Sequence, residues 1–208
     1  MITIVDYGMG NLRSVAKALE HAGASVRLTS DPAQVARADK LVLPGVGAFD
    51  AAMEELHARR LIEPLTQAIH KGVPYLGICL GLQLLFEGSD EGSAQGLGIL
   101  HGRVRRFPAE VKLKIPHMGW NQINRSGKSE VGSRNGCPLL KDIPEGSFFY
   151  FVHSYYANPT DRSLVVLEAE YGIPFAAMVW KDNLAATQFH PEKSQALGLR
   201  LLRNFVAW

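Results

Sequence analysis

Val73-Pro74-Tyr75-Leu76-Gly77-Ile78-Cys79-Leu80-Gly81-Leu82 runs from an apolar strand pattern straight into a helical one. Val73–Ile78 predicts a buried strand, and Leu80–Phe86 predicts the helix that follows it. Glycines stand two residues before and two residues after Cys79, where a sharp turn leaves no room for a side chain. A strand that enters a helix through so tight a turn is typical of the βα units of a parallel sheet.

The rest of the sequence continues this alternation and then departs from it. In the first half, strands are predicted at Ile2–Val5, Ala24–Leu28 and Leu41–Leu43. Helices are predicted at Asn11–Glu20, with Asn11 as the cap, and at Phe49–His57 and Ile62–His70. In the second half, strands are predicted at Gly102–Phe107, Phe148–His153, Leu164–Ala169, Phe175–Trp180 and Ala185–Phe189. An amphipathic helix at Ser194–Val206 follows them. The sequence therefore predicts an α/β fold. We expect one domain over residues 1–208, with a mostly parallel sheet flanked by helices and additional mixed strands in the second half.

Composition excludes several classes of protein. The chain has 208 residues, with 22 basic and 20 acidic side chains and a net charge of +2, which argues against a dedicated nucleic-acid binder. The apolar start at Ile2 lacks the basic region of a signal peptide, and the long uncharged stretch 73–86 is broken by proline and glycine. These features predict a cytoplasmic protein without a membrane span.

Cys79 is the candidate nucleophile. It occupies the position of the reactive side chain in a nucleophile elbow, at a helix start whose free N–H groups favour a thiolate. The alternative is a small buried hydrophobic residue at a tight turn. Cys137, the second of two cysteines, lies in a loop pattern, Asn-Gly-Cys-Pro, without such a setting, and we interpret it as structural or incidental.

His190 is the candidate general base for that nucleophile. Pro191 favours an extended backbone at His190, so that the side chains of His190 and Glu192 point to the same side. A carboxylate in this position would hold the imidazole ring in one orientation, as the acid of a catalytic triad does. The alternative for an isolated His-Pro-Glu is an ordinary surface turn.

Two glycine-containing turns are candidates for ligand contact. Pro44-Gly45-Val46-Gly47 follows the strand Leu41–Leu43, and its glycines permit backbone N–H groups to face a ligand and the peptide to rotate. Gly8-Met9-Gly10 resembles half of a dinucleotide fingerprint, but Arg13 stands where the third glycine belongs. A dinucleotide cofactor is therefore not expected.

Three stretches together resemble class I (triad) glutamine amidotransferases: Pro44–Gly47, Gly77–Gln83 and Gln188–Ser194. The resemblance covers essentially the whole chain. Three further stretches resemble the glutaminase subunits of imidazole glycerol phosphate synthases, which act in histidine biosynthesis: Asp6–Ser14, Pro116–Asn121 and Tyr150–Tyr155.

The resemblance implies a flavodoxin-like fold and glutamine hydrolysis through a γ-glutamyl thioester. It gives Cys79, His190 and Glu192 the roles of nucleophile, proton carrier and orienting acid, and it implies no metal or organic cofactor. By the same resemblance, the oxyanion would be held by backbone N–H groups of Leu80 and of Val46 or Gly47. The substrate glutamine would be held by Gly47, Gln83, Ser154 and Tyr155.

The resemblance also implies a heterodimer with a (β/α)₈ cyclase subunit. That partner would receive ammonia through a channel. It would use the ammonia on a phosphoribulosyl formimino carboxamide nucleotide to make imidazole glycerol phosphate and an aminoimidazole carboxamide ribotide. Positions near the family's subunit interface correspond to Asn11, Trp120, Tyr150 and Lys193.

Three alternatives stay open from the residues alone. The chain could serve another class I amidotransferase, act alone as a cysteine hydrolase, or be a catalytically silent binding module. The basic run Arg103–Lys114 is a separate question: a solvated strand edge is favoured over a nucleic-acid site or a docking surface for an acidic partner.

Overall fold

A computed structural model of the chain describes residues 1–126 and 136–208. Its helices are α1 (Leu12–His21), α2 (Pro32–Ala36), α3 (Phe49–Ala58), α4 (Ile62–His70), α5 (Leu80–Gln83) and α6 (Gln195–Ala207). Its strands are β1 (Ile2–Val5), β2 (Val26–Thr29), β3 (Lys40–Gly45), β4 (Tyr75–Cys79), β5 (Gly102–Arg106), β6 (His117–Gln122), β7 (Asn124–Arg125), β8 (Phe148–His153), β9 (Tyr155–Pro159), β10 (Val165–Glu170), β11 (Pro174–Lys181) and β12 (Leu184–Thr187).

A central sheet organises the described residues. Its eight strands lie in the order β2-β1-β3-β4-β12-β11-β10-β7. The pairs from β2 to β12 are parallel, and the pairs from β12 to β7 are antiparallel. Two smaller antiparallel sheets, β5–β9 and β6–β8, lie outside it. The predicted α/β fold with a mostly parallel sheet and added mixed strands is confirmed.

Hydrophobic packing on both faces of the central sheet explains why its strands read as continuous apolar runs. Ile4 of β1 packs in one cluster with Leu19 of α1 and Phe205 of α6. Val5, the next residue, packs in a second cluster with side chains of α3 and α4. Neighbouring residues of one strand thus bury opposite faces of the sheet. Among the described residues, no helix has both the length and the apolar character that crossing a bilayer requires.

Two element boundaries differ from the prediction for identifiable reasons. Strand β3 continues through Pro44 to Gly45. Pairing with β1 ends at Val42, and beyond that residue β3 pairs with β4. A proline is tolerated there because its missing N–H faces the side without a paired strand. The helix predicted over Leu80–Phe86 ends at Gln83. Backbone N–H groups of residues 97–100 donate hydrogen bonds to the carbonyls of residues 84–86. These bonds from the end of the glycine-rich loop take the place of the hydrogen bonds that a longer helix would make.

Three further details of the prediction were wrong. The side chain of Asn11 makes no capping hydrogen bond to α1. The last strand of the central sheet ends at Thr187, before Gln188 and Phe189. Helix α2 was missed, although Asp31 caps it by accepting a hydrogen bond from the Ala33 N–H at 2.9 Å and Pro32 occupies its first turn.

The tight turn between β4 and α5 depends on Gly81. A Cβ atom there would collide with the Leu43 carbonyl oxygen of the neighbouring strand β3. We expect Gly81→Ala to lower the free energy of unfolding by about 3 kcal/mol, because backbone atoms have to move to admit the methyl group. Urea denaturation measures the loss, with Gly136→Ala as the control, since, its chain neighbours aside, no atom of residues 1–126 or 136–208 lies within 4 Å of a Cβ atom at Gly136. Equal stability of the two variants would contradict the steric explanation.

Candidate active site

Cys79 has a strained backbone that lifts its side chain out of the sheet. Its φ of 54° and ψ of −104° lie in a region that residues with a side chain rarely adopt. The close contacts of the neighbouring glycines enforce this turn, and the Tyr75 hydroxyl holds the Gly81 carbonyl at 2.9 Å. The sulfur is thereby fixed at the carboxyl end of β4, where open α/β sheets bind ligands.

Amide and carbonyl groups surround the Cys79 sulfur. The Gln188 side-chain N–H donates toward Sγ at 3.6 Å, and the Val152 carbonyl lies 3.8 Å from Sγ. The other end of the Gln188 amide accepts a hydrogen bond from Gln83 Nε2 at 3.1 Å. Gln83 Nε2 also donates to the Tyr155 carbonyl at 3.0 Å. A chain of hydrogen bonds therefore connects the sulfur to the strand that begins at Tyr155.

His190 and Glu192 form a buried pair beside the sulfur. His190 Nδ1 lies 2.8 Å from Glu192 Oε1, and the two side chains are 2% and 1% exposed. Burial alone would lower the pKa of His190, but the neighbouring Cys79, followed by the hydrogen bond and charge of Glu192, raises it to about 10. His190 is extended, with φ −99° and ψ 96°, and Pro191–Lys193 form a 3-10 turn after it. The structure brings the three predicted triad residues together.

Backbone hydrogen bonds hold the His190 segment against β8. The His190 N–H donates to the Tyr150 carbonyl at 2.9 Å. The Ser194 hydroxyl donates to the His190 carbonyl at 2.6 Å and accepts from the Tyr150 N–H at 3.1 Å. The position of the imidazole is thus tied to the strand that carries Tyr150.

A cavity of about 310 Å³ opens beside the sulfur. Its lining includes Cys79 and every residue predicted for oxyanion or substrate contact: Val46, Gly47, Leu80, Gln83, Ser154 and Tyr155. Four further residues, which sequence analysis missed, complete the lining: Glu91, Pro116, Val152 and His153. The volume accommodates one amino-acid-sized molecule.

Glu91 is the carboxylate of the cavity wall. Its Oε2 accepts a hydrogen bond from the Phe49 N–H at 2.8 Å, at the start of α3. The Ser89 hydroxyl accepts from the Glu91 N–H at 3.0 Å and holds the loop in place. No local sequence pattern singles out Glu91, because only the folding of the glycine-rich stretch 88–98 brings it to the cavity.

His117 and His153 form a second buried pair, after His190–Glu192, and no local sequence pattern predicts it. His153 Nδ1 donates to the Tyr155 carbonyl at 2.8 Å, so its Nε2 accepts from His117 Nδ1 at 2.9 Å. His117 Nε2 then accepts from the Asn121 amide at 3.3 Å. Burial lowers the pKa of His117 to about 4, and burial together with the neighbouring His117 lowers that of His153 to about 3. The pair is neutral at pH 7 and supports the Tyr155 backbone.

Three of the four predicted interface residues lie together. The Trp120 and Tyr150 rings meet edge to face, with centroids 6.2 Å apart, and Lys193 Nζ lies 5.7 Å from the Tyr150 ring centroid. Asn11 is exposed just before α1 and does not take part in these ring contacts. No local pattern predicts that Lys193 lies over the Tyr150 ring, because the two residues are 43 positions apart in the sequence.

The remaining candidates outside the cavity have structural partners. Arg103 and Arg105 of the basic run pair with Asp90 at 3.8 and 3.1 Å, on exposed side chains. These contacts favour a solvated strand face. Cys137 is buried, and burial raises its pKa to about 12, so its thiol stays protonated.

A family model described as glutamine amidotransferase class-I matches residues 3–208. The chain belongs to the class I glutamine amidotransferases, which are enzymes. A crystal structure of a glutamine amidotransferase shares the fold, with a TM-score of 0.73 at 17% identity over 100% of this chain and 98% of that one.

Two curated relatives define the family within that class. "Imidazole glycerol phosphate synthase subunit HisH" of Syntrophotalea carbinolica is 54% identical over 211 residues, 99% of this chain and 98% of the relative. The protein of the same name from Synechococcus elongatus is 53% identical over 206 residues, 99% of this chain and 92% of the relative. The chain belongs to the glutaminase-subunit family of imidazole glycerol phosphate synthase. The alternatives of another amidotransferase or a silent module find no support in these relatives.

The neutral His117–His153 pair predicts acid sensitivity. Below pH 6.5 these histidines gain protons in the unfolded chain, while the folded chain keeps them neutral down to about pH 4. The stability that these two histidines contribute is therefore complete above pH 6.5, and below it about 1.4 kcal/mol is lost per pH unit for each histidine. The raised pKa of His190 acts above pH 6.5, with the opposite sign.

Urea unfolding between pH 7 and pH 5 measures this slope. We expect His117→Gln to reduce it by about half, because one titrating group is removed. The control His70→Gln, at an exposed helix end, should leave the slope as it is. An unchanged slope in His117→Gln would show that the pair is protonated in the folded protein.

Proposed function

We propose that this domain, over residues 1–208, hydrolyses glutamine to glutamate and ammonia and delivers the ammonia to a cyclase subunit. The buried His190–Glu192 pair next to the strained Cys79 carries the proposal. The cyclase would use the ammonia to make imidazole glycerol phosphate and aminoimidazole carboxamide ribotide in histidine biosynthesis. We place the complex in the cytoplasm, where the free thiols of Cys79 and Cys137 stay reduced.

Cys79 and His190 carry out the proposed chemistry. The thiolate attacks the side-chain carbonyl carbon of glutamine, and the electron pair of the carbonyl moves to its oxygen. Backbone N–H groups of Leu80 and of Val46 or Gly47 stabilise that oxyanion. When the tetrahedral centre collapses, the C–N bond breaks and the proton from His190 leaves with the ammonia. His190 then takes a proton from water, whose hydroxide attacks the thioester; the C–S bond breaks, glutamate leaves, and the thiolate and imidazolium are restored.

Glu192 acts on the reaction through His190. Its hydrogen bond to Nδ1 leaves Nε2 as the ring nitrogen that exchanges protons with sulfur and substrate, and its charge stabilises the imidazolium. Nε2 has no hydrogen-bond partner in the resting chain, as expected of a ring nitrogen whose partner in the reaction is substrate or sulfur.

The cavity lining supports recognition of an α-amino acid. Gln83, Ser154, Tyr155 and Gly47 offer backbone and side-chain hydrogen bonds near the sulfur. Glu91 supplies a negative charge for the substrate ammonium group, and its contact with the Phe49 N–H fixes its position. Val46 and Gly47 line the same cavity as the sulfur, so a neutral amide side chain bound there would contact both.

An exposed apolar face supports docking of the cyclase. Met118 and Trp120 on β6 are 61% and 47% exposed, and Phe148 on β8 is 54% exposed. Because Trp120 pairs with Tyr150 across the two strands, these side chains form one continuous surface. Aromatic and methionine side chains of this kind are enriched in protein–protein interfaces. The same strands reach the cavity at Val152 and His153, so a partner bound here lies next to the site of ammonia release.

Glutamate release by the purified chain tests the function. We expect strong stimulation when the cyclase subunit and its nucleotide ligand are added. Cys79→Ser should lower the stimulated rate by about a thousandfold or more, because the nucleophile is lost. Cys137→Ser, which removes the other thiol, should retain the rate. Activity indifferent to the cyclase would refute the partner, and activity that survives Cys79→Ser would refute the nucleophile.

Replacing Trp120 tests the docking face. We expect Trp120→Ala to raise the Kd for the cyclase roughly tenfold or more, as truncation of a central interface aromatic does. Leu28→Ala is the matched control, because Leu28 is 43% exposed on the edge strand β2 at one end of the central sheet. Titration calorimetry compares the two, and equal Kd values would exclude the β6–β8 face from the interface.

A further inference from the structure

Three buried side-chain polar atoms in the described part of the chain lack a hydrogen-bond partner. They are His190 Nε2, Glu192 Oε2 and the hydroxyl of Tyr7. The first two belong to the proposed triad, where an unpaired atom awaits the reaction. A buried hydroxyl without a partner destabilises a fold, so that of Tyr7 needs an explanation as well.

The Tyr7 hydroxyl lies next to Gly45, the residue before Val46 and Gly47 of the cavity lining. Tyr7 follows β1 and is fully buried. A Cβ atom at Gly45 would collide with this hydroxyl and would lie 2.7 Å from the Leu80 Cβ. Gly45 in turn pairs with Cys79 across β3 and β4. The hydroxyl therefore contacts the backbone that leads into Val46 and Gly47.

The Tyr7 hydroxyl keeps its proton at neutral pH. Burial raises its pKa far above the usual tyrosine value, and negative charge on Cys79 raises it further. The group is therefore a neutral hydrogen-bond donor next to a proposed anionic site.

Peptide geometry supplies an acceptor for this donor. The N–H and C=O groups of one peptide point in opposite directions. When the Val46 N–H points into the cavity, the Gly45 carbonyl of the same peptide points away from it, and the Tyr7 hydroxyl next to Gly45 is the nearby donor without a partner. Gly45 and Gly47 permit this rotation, and Gly47 has a φ of +103°.

We propose that Tyr7 is a positioning residue of the oxyanion site. Its hydroxyl donates a hydrogen bond to the carbonyl that turns inward when the Gly45–Gly47 turn presents its N–H groups to the substrate oxygen. In the resting chain the hydroxyl has no partner, and in the active arrangement it gains one. Tyr7 does not touch the substrate, and the inference rests on the proposed glutaminase function.

Tyr7→Phe tests the inference in the complete complex with cyclase and nucleotide ligand. We expect kcat for glutamine hydrolysis to fall roughly tenfold, the equivalent of one hydrogen bond, with KM unchanged within about twofold. The Tm of the full chain without ligand should equal or exceed that of the wild type, because no resting-state hydrogen bond is lost. The rate at which iodoacetamide alkylates Cys79, followed by mass spectrometry of its peptide, should stay unchanged.

Tyr75→Phe is the matched control for stability. Tyr75 is equally buried, but its hydroxyl donates to the Gly81 carbonyl at 2.9 Å, so its removal should lower the Tm. A kcat of Tyr7→Phe equal to that of the wild type would overturn the inference. So would a Tm loss matching that of Tyr75→Phe, or a parallel loss of alkylation rate, which would place the hydroxyl on the sulfur instead. An inactive wild-type complex would remove the proposed function and this inference together.

Discussion

The contact of Gly81 with the Leu43 carbonyl determines how the site is assembled. Because α5 approaches β3 this closely, the chain must turn at Cys79 with a positive φ, and the sulfur emerges between β3 and β12. The segments that leave those two neighbouring strands contain the Gly45–Gly47 turn and the His190–Glu192 pair. Three consecutive parallel strands thus bring the proposed oxyanion donors, nucleophile and base to one edge, as the topology of open α/β sheets favours.

The smaller β6–β8 sheet contributes both to the cavity wall and to the proposed docking face. β6 and β8 place Trp120 and Tyr150 on an outer face, whereas His117 and His153 of the same strands are buried. The histidine pair supports the Tyr155 backbone, whose carbonyl also receives Gln83. The wall of the candidate cavity and the proposed docking face therefore belong to one pair of strands.

Local patterns account for what the sequence could predict, and long-range contacts account for the rest. The Cys79 turn, the His190-Pro191-Glu192 stretch and the parallel sheet follow from spacing and from backbone preferences. Other features depend on contacts with residues that are distant in sequence, so no local pattern predicts them. These are Glu91, the His117–His153 pair and the Tyr7 hydroxyl. Strand β6 was missed because Gly119 and Asn121 interrupt its apolar alternation, and α5 was overestimated because a loop competes for its carbonyls.

The three hydrogen bonds that join Tyr150, His190 and Ser194 have a mechanical consequence. They make the backbone of β8 at Tyr150 and the backbone at His190 move together as one rigid unit. Neither can shift by more than a fraction of an ångström unless the other follows or these hydrogen bonds break. A load applied to the outer aromatic rings is therefore borne by the same backbone that sets the distance between imidazole and sulfur.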